Sequence, residues 1–232
     1  MDKYGVTGTS SGLGGGLKRI LGAVPINRTN LDSYKNQKFD TLIHAGFERY
    51  DKTREPFKYQ RDAVNLAKFL LDLNYNKFVF ISTVECNNTE DTTPYVKAKR
   101  LIERLVSSSS GNYQILRLPS LYGMEMKRNQ IYQIATEHKP SLTLSSNSTF
   151  SLIQYEDVAK IIKNTQSLET QQIFSECLTL REIAKYFRKT PIWGKYDYKT
   201  KIPDGVQPIF SKTTSLKKYK KFIEIKNDRE KN

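Results

Sequence analysis

Apolar residues recur along this chain in two alternating rhythms. Short runs that are almost continuously apolar or β-branched (Tyr4 to Thr7, Thr41 to His44, Phe78 to Ile81, Ile115 to Leu118) are separated by longer stretches with an apolar residue every third or fourth position. The first rhythm belongs to strands buried on both faces, the second to helices that cover them. It predicts strands near 3–7, 23–27, 40–45, 77–82 and 113–118, and helices near 13–21, 56–74, 94–108, 127–137, 155–164 and 180–188. Strands alternating with helices imply a parallel, doubly wound α/β sheet. The helix expected at 94 carries its own signals. Thr92 or Thr93 serves as cap, Pro94 sits in the first turn, Ala98, Leu101, Ile102 and Leu105 share one face, and Ser107 to Gly111 end it. There is no internal repeat, and the clusters Ser107 to Ser110 and Ser145 to Ser151 read as loops.

With 232 residues, 38% of them apolar, the chain has enough length to bury one substantial core. No apolar run approaches the ~18 residues of a membrane span, and the first twenty residues form a glycine loop instead of a signal peptide, so a cytoplasmic protein is expected. Cys86 and Cys177 are too few for a disulfide framework and lack metal-ligand spacing; reduced thiols and no metal site are expected.

Charge changes the picture of the partners. The formal net charge is +14, and much of the excess lies late, in Lys195 to Lys201 and Lys212 to Lys226. Such a balance favours polyanions: nucleotide substrates, acidic membrane surfaces or nucleic acid. Tyr196, Tyr198, Tyr219 and Phe222 are interleaved with these lysines, but no RNA-binding signature accompanies them, so a solvated basic face ranks ahead of a nucleic-acid site. Residues 227–232 have no apolar periodicity and read as a frayed basic tail.

The chemistry begins at the amino terminus. After the first strand comes Thr7-Gly8-Thr9-Ser10-Ser11-Gly12-Leu13-Gly14-Gly15-Gly16, which leads into an apolar-periodic segment. Strand, glycine-rich turn and helix start together suit a dinucleotide pyrophosphate, because backbone N–H groups point at it and no side chains intervene. Gly8, Ser10, Ser11, Gly12, Leu13 and Gly14 are the expected cofactor contacts. At the end of the second strand, where an NAD site usually places an acid, the chain offers Asn27-Arg28-Thr29. The Arg28 guanidinium suits a 2′-phosphate, which favours NADP, with NAD the alternative.

Further along, Ser82-Thr83 closes an apolar strand and Tyr95-Val96-Lys97-Ala98-Lys99 follows twelve residues later. The i, i+4 spacing sets a phenol and an ammonium on one helix face, an arrangement in which the cation lowers the phenol's pKa. A hydroxyl, a Tyr and a Lys together form a proton-transfer device.

These motifs, in this order over residues 4 to about 190, resemble the short-chain dehydrogenase/reductase superfamily. The segments Asp40 to Gly46, Phe78 to Thr83, Tyr95 to Glu103 and Leu116 to Gly123 are similar to its extended branch of nucleotide-sugar epimerases, dehydratases and reductases such as dTDP-4-dehydrorhamnose reductase, here shortened. The resemblance implies a Rossmann-like sheet with a small C-terminal substrate-side region, divided as 1–125, 126–226 and the tail 227–232. It also implies catalytic roles for Thr83, Tyr95 and Lys99, with Lys99 contacting the cofactor ribose as well. Ala45 and Gly46 would lie beside the adenosine and Pro119 beside the nicotinamide. The substrate would be a nucleotide-sugar and the protein a homodimer. The chain also departs from the family. Its glycine spacing is that of the smaller single-domain branch, and the link from Thr83 to Tyr95 is short, so part of the sugar site is trimmed or supplied by a partner subunit. Val84 stands where dehydratases carry an acid after the catalytic Thr, and Cys86 and His138 are the nearby residues offering the extra acid/base pair of some epimerases. A carbonyl reductase or 4-epimerase needs only the triad. The alternative is a non-catalytic or RNA-associated member of the same fold.

Overall fold

The computed structural model describes residues 3–231 except 49, 110 and 166–168. The chain begins with β1 (Tyr4–Thr7), α1 (Gly12–Leu21) and β2 (Val24–Ile26), then passes through a 3₁₀ turn (Leu31–Tyr34) to β3 (Lys38–His44). It continues with α2 (Pro56–Leu71), β4 (Asn74–Thr83), a second 3₁₀ turn (Val84–Asn87), α3 (Pro94–Ser108) and β5 (Tyr113–Leu118). The second part holds β6 (Ser120–Tyr122), α4 (Gln130–Thr136), β7 (Thr149–Phe150), β8 (Leu152–Gln154), α5 (Tyr155–Asn164), β9 (Glu169–Gln172), β10 (Leu178–Thr179), α6 (Leu180–Tyr186) and α7 (Lys212–Lys231).

Six strands form one parallel sheet in the order β2-β1-β3-β4-β5-β9. A dinucleotide fold usually adds one more strand outside β2 before the chain returns to the other side of β1. Here the return runs through the first 3₁₀ turn alone, and β2 is the sheet edge. Pro25 is compatible with that edge because it has no N–H to donate to a further strand. The chain reverses direction across the sheet between β1 and β3, so a crevice opens beyond Thr7 and His44.

Successive strand residues point to opposite faces, which is why the runs are apolar throughout. Leu42, Phe78, Phe80 and Ile115 bury under α2 and α3 with Leu70, Ile102 and Val106. Ile43, Val79, Ile81 and Leu116 face the other layer with Leu17, Val158 and Ile162. The helix expected to reach 74 stops at Leu71, because Asn74 already pairs with Lys38 at the start of β4. β9 was not among the expected strands: its sequence Glu-Thr-Gln-Gln has no apolar run, as an edge strand pairing only with β5 permits.

The C-terminal expectation needs correcting. Residues 227–231, read as a frayed tail, continue α7, whose residues Leu216, Tyr219, Phe222 and Ile223 bury a stripe against Tyr122 and Ile183. A docked stripe at helical spacing holds a helix that its exposed lysines would not form alone. Lys218 leaves the basic run to pair with Asp157 of α5 at 2.6 Å. Of the interleaved aromatics, Tyr219 and Phe222 are core and Tyr198 is half-buried; Tyr196 remains 73% exposed.

Candidate active site

The glycine loop closes on three elements at once. A side chain at Gly8 (φ +73°) would collide with the backbone of Gly46, and one at Gly14 with the carbonyl of Gly8, so these positions keep β1, α1 and the end of β3 in contact. Gly12 differs: its φ is +64°, yet the nearest atom to an added Cβ is the Tyr155 hydroxyl, 3.9 Å away. Its N–H donates to the Glu125 carbonyl at 2.9 Å, an engagement that the linear sequence does not reveal. Leu13 and Gly14 lie in the first turn of α1, where helix geometry supplies no internal acceptor for N–H groups, and the positive end of the helix dipole favours an anion. Ser10, Ser11, Gly12, Leu13 and Gly14 line a cleft of about 1020 Å³, bounded on one side by Arg28 and Leu31 and on the other by Ala45, Gly46 and Leu66 of α2.

Thr7 fastens the floor of this cleft. Its Oγ1 accepts from the Gly46 N–H at 2.8 Å and bonds His44 Nδ1 at 2.9 Å. Burial, and secondarily the charge of Lys99, push the His44 pKa down to about 3, so the ring is neutral. At the mouth, Arg28 pairs with Glu48, which also pairs with Arg54. Glu48 and Arg54 were absent from the expected site, because nothing in the linear pattern ties the β3–α2 loop to residue 28.

The residues expected to be catalytic lie beside this cleft. Thr93 caps α3 by accepting from the Val96 N–H, and Pro94 fills the first turn, so Tyr95 and Lys99 project one turn apart. Thr83 ends β4, and its Oγ1 accepts from the Glu85 N–H at 3.3 Å to cap the 3₁₀ turn. Thr83, Tyr95, Lys99 and Pro119 line one pocket of about 590 Å³. The two clefts share Leu13, Ala45, Phe47 and Glu48, which form the neck between them. Ser82 is held elsewhere: its Oγ donates to Glu103 Oε1 at 2.5 Å, and Glu103 receives Arg117 through two bonds of 2.9 and 2.6 Å.

The expected effect of Lys99 on Tyr95 is not present. Lys99 donates its Nζ–H to the Ile81 carbonyl at 2.6 Å and packs 4.0 Å from the centre of the Phe47 ring, with the Tyr95 ring centre 5.7 Å away. Burial dominates both groups. It pushes the Tyr95 phenol above its ordinary value, with no compensating contribution from Lys99, and lowers Lys99 to about 7.

The residues considered for other reaction types lie outside the pocket. Val84 is buried, and the Glu85 carboxylate accepts from the Tyr198 hydroxyl at 2.6 Å. Cys86 is buried with its sulfur 3.6 Å from Ser82 Oγ, where burial raises the thiol pKa, and His138 is exposed; neither lines the pocket. No described residue beyond Leu121 lines it either. Among the described residues no helix is long and apolar enough to cross a membrane, and no group of His, Cys, Asp and Glu could hold a metal ion.

No family model matches the chain, and no curated protein sequence does. Solved structures do match. The ADP-L-glycero-D-manno-heptose-6-epimerase of Helicobacter pylori superposes with a TM-score of 0.75 at 14% identity over 96% of each chain. The chain shares the Rossmann-like α/β fold of that enzyme. The UDP-glucose 4-epimerase of Thermotoga maritima, solved with UDP-glucose, gives 0.71 at 13% identity over 99% of this chain and 100% of that one. A UDP-glucuronic acid 4-epimerase variant from Bacillus cereus, solved with NAD and a fluorinated UDP-uronate, gives 0.69 at 15% over 96% and 99%. What these relatives share with the chain at such identities is the architecture.

Proposed function

We propose that the protein is a nicotinamide-dependent oxidoreductase or epimerase that moves a hydride to or from a carbon of a nucleotide-activated sugar. The observation that carries this reading is the single pocket lined by Thr83, Tyr95, Lys99 and Pro119, opening through a neck at Leu13 and Phe47 into the glycine-loop cleft. The cofactor supplies the hydride. The N–H groups of Leu13 and Gly14 hold its pyrophosphate at the α1 N-terminus, with Gly12, whose own N–H is on the Glu125 carbonyl, leaving room for its approach, and Ala45 and Gly46 border the adenosine. Tyr95 gives or takes the proton at the substrate oxygen. Burial keeps the phenol in its protonated, donating form while making it a weaker acid, and Thr83 hydrogen-bonds the same oxygen as its charge develops. Lys99, on the Ile81 carbonyl, places a titratable ammonium at the end of the strand that carries Thr83.

NADP is the cofactor favoured by the chain's own residues. Arg28 and Arg54 flank the cleft mouth, and a 2′-phosphate offers both a better partner than the shared Glu48 carboxylate. The acid missing beside Thr83, the engaged Glu85, the buried Cys86 behind Ser82 and the exposed His138 favour simple carbonyl reduction or 4-epimerisation over dehydration. The active unit is a homodimer, which sedimentation would test. The experiment for the function itself is cofactor fluorescence on mixing with NADPH and NADH, followed by a thermal-shift screen of nucleotide-sugars with the cofactor present. Absence of binding for both cofactors would exclude the reading.

A second reading rests on one observation. Residues 180–232 hold 15 Lys and Arg against 6 Asp and Glu, and none of those basic residues lines either cleft. An RNA-associated protein on this fold would use that surface, and a gel shift at near-physiological salt separates it from the enzyme.

A further inference from the structure

Two residues of α3, one turn apart, dock on consecutive residues of β4. The Lys99 ammonium donates to the Ile81 carbonyl and the Glu103 carboxylate accepts from the Ser82 hydroxyl at 2.5 Å, so the helix is pinned to the strand just before Thr83. Arg117 of β5 lies in register beside Ser82 and grips Glu103 through Nε at 2.9 Å and Nη2 at 2.6 Å. Its Nη1 donates to Asn87 Oδ1 at 2.7 Å, at the end of the 3₁₀ turn that follows Thr83. The ion pair therefore holds Thr83 by both flanks, Ser82 on one side and Asn87 on the other. Both side chains are largely enclosed, Glu103 with 9% and Arg117 with 22% exposed, and neither lines the pocket. Apolar side chains of the same volume often hold such layers as well as a buried ion pair does, so stability alone does not explain these charges.

We propose that Glu103, clamped by Arg117, is a positioning residue of this site: it fixes the Thr83 end of β4 against the helix face that carries Tyr95 and Lys99, and its negative charge holds Lys99 in the ammonium form. The inference rests on the hydride-transfer reading for the purpose of that charge and adds two residues to it. Burial is the largest influence on Lys99 and lowers its pKa to about 7, with Cys86 and Glu103 acting in the opposite direction. The Cys86 thiol is itself pushed up by burial and is neutral at pH 7, so Glu103 supplies the negative charge. Arg117 pairs with Glu103 without reversing its pull on Lys99. Two further groups near the amine are uncharged: His44 of β3, lowered to about 3, and Tyr95, raised by burial. Glu48 at the neck is paired with Arg28 and Arg54. An amine balanced at about 7 is half protonated at neutral pH, so one nearby charge decides its state.

The test follows the titration of Lys99 by carbon-13 NMR of lysine side chains in the full chain, with Lys99→Met identifying its signal. Glu103→Gln keeps an acceptor for Ser82 and removes the charge, and the Lys99 midpoint is expected to fall below the wild-type value by about half a pH unit or more. A merely structural role gives the opposite sign, because loosened layers admit water to the amine and raise its midpoint toward the ordinary ~10.4. If Arg117 left unpaired prevents folding, Glu103→Gln combined with Arg117→Gln removes both charges, and the same fall is expected. An unchanged or raised midpoint in the folded variant overturns the inference. Failure of both variants to fold assigns the pair to the fold itself and overturns it as well. NADPH fluorescence titrations between about pH 6 and 9 read the consequence: affinity in Glu103→Gln is expected to weaken at a lower pH than in wild type, and superimposable profiles overturn the inference. If neither protein binds NADPH, the hydride-transfer reading fails by itself, and the Lys99 midpoint alone decides the role of Glu103.

Discussion

The Lys99 ammonium donates to the main-chain carbonyl of Ile81 at 2.6 Å, beneath the ring of Phe47. Spacing along α3 pairs Lys99 with Tyr95, but its hydrogen bond is to the strand that carries Thr83. Lys99 therefore serves the geometry of β4 against α3 as well as the charge of the site, and the roles of Tyr95 and Lys99 can be separated experimentally.

Tyr95→Phe removes one oxygen and keeps the ring that packs edge-on against Phe47 at 5.4 Å. Folding and NADPH binding are expected to survive, while turnover falls by about 10²–10⁴, the usual worth of one positioned general acid. A variant that keeps more than about a tenth of the wild-type rate in NADPH oxidation rules out this role.

Lys99→Met is expected to change the pH dependence of stability. Burial lowers Lys99 to about 7, below its unfolded value near ~10.4, so between these limits the unfolded chain holds more protons than the folded one. The Lys99 contribution to stability therefore rises with pH across that window and is lost as pH falls toward 7. Urea unfolding of both proteins at pH 7 and 9 should show wild type gaining on Lys99→Met by up to ~1.4 kcal/mol per pH unit. Parallel pH profiles would contradict the burial of a titrating amine at this position.

The glycines divide into two kinds. Gly12→Val meets nothing closer to its Cβ than the Tyr155 hydroxyl at 3.9 Å and carries chiefly the strain of φ +64°, so it should fold and lose the dinucleotide. Gly14→Val drives a branched side chain into the Gly8 carbonyl and should lower the melting temperature markedly even without cofactor. Circular dichroism melts with NADPH titration separate the two, and unchanged NADPH affinity in folded Gly12→Val would refute the phosphate assignment.

Arg28→Ala should weaken NADPH by about 1.5 kcal/mol, the lower end for a charged hydrogen bond because the side chain is 73% exposed, and leave NADH nearly unchanged. Arg54, more enclosed at 34%, should show the same selectivity with a larger loss. Equal losses for both cofactors in either variant would place the 2′-phosphate elsewhere.

The sequence by itself determined the parts governed by local periodicity and short-range spacing. The continuous apolar runs required strands covered on both faces, Thr93 and Pro94 set the start of α3, and the i, i+4 step put Tyr95 and Lys99 on one face. The glycine loop was legible because Gly8, Gly12, Gly14, Gly15 and Gly16 crowd directly after the first apolar run. Tertiary structure alone decided what depends on residues far apart in the chain. Pairing brought Glu48 and Arg54 to Arg28, turned Lys99 onto Ile81 and gave Ser82 to Glu103, a carboxylate 21 positions away. The polar β9 gained its place from β5, and the lysine-rich α7 gained its length from a four-residue stripe docked on a core that no local pattern announces. The shifted pKa values follow the same division. Spacing gives a distance between charges, whereas burial, the larger cause at Tyr95 and Lys99, exists only once the layers have closed over them.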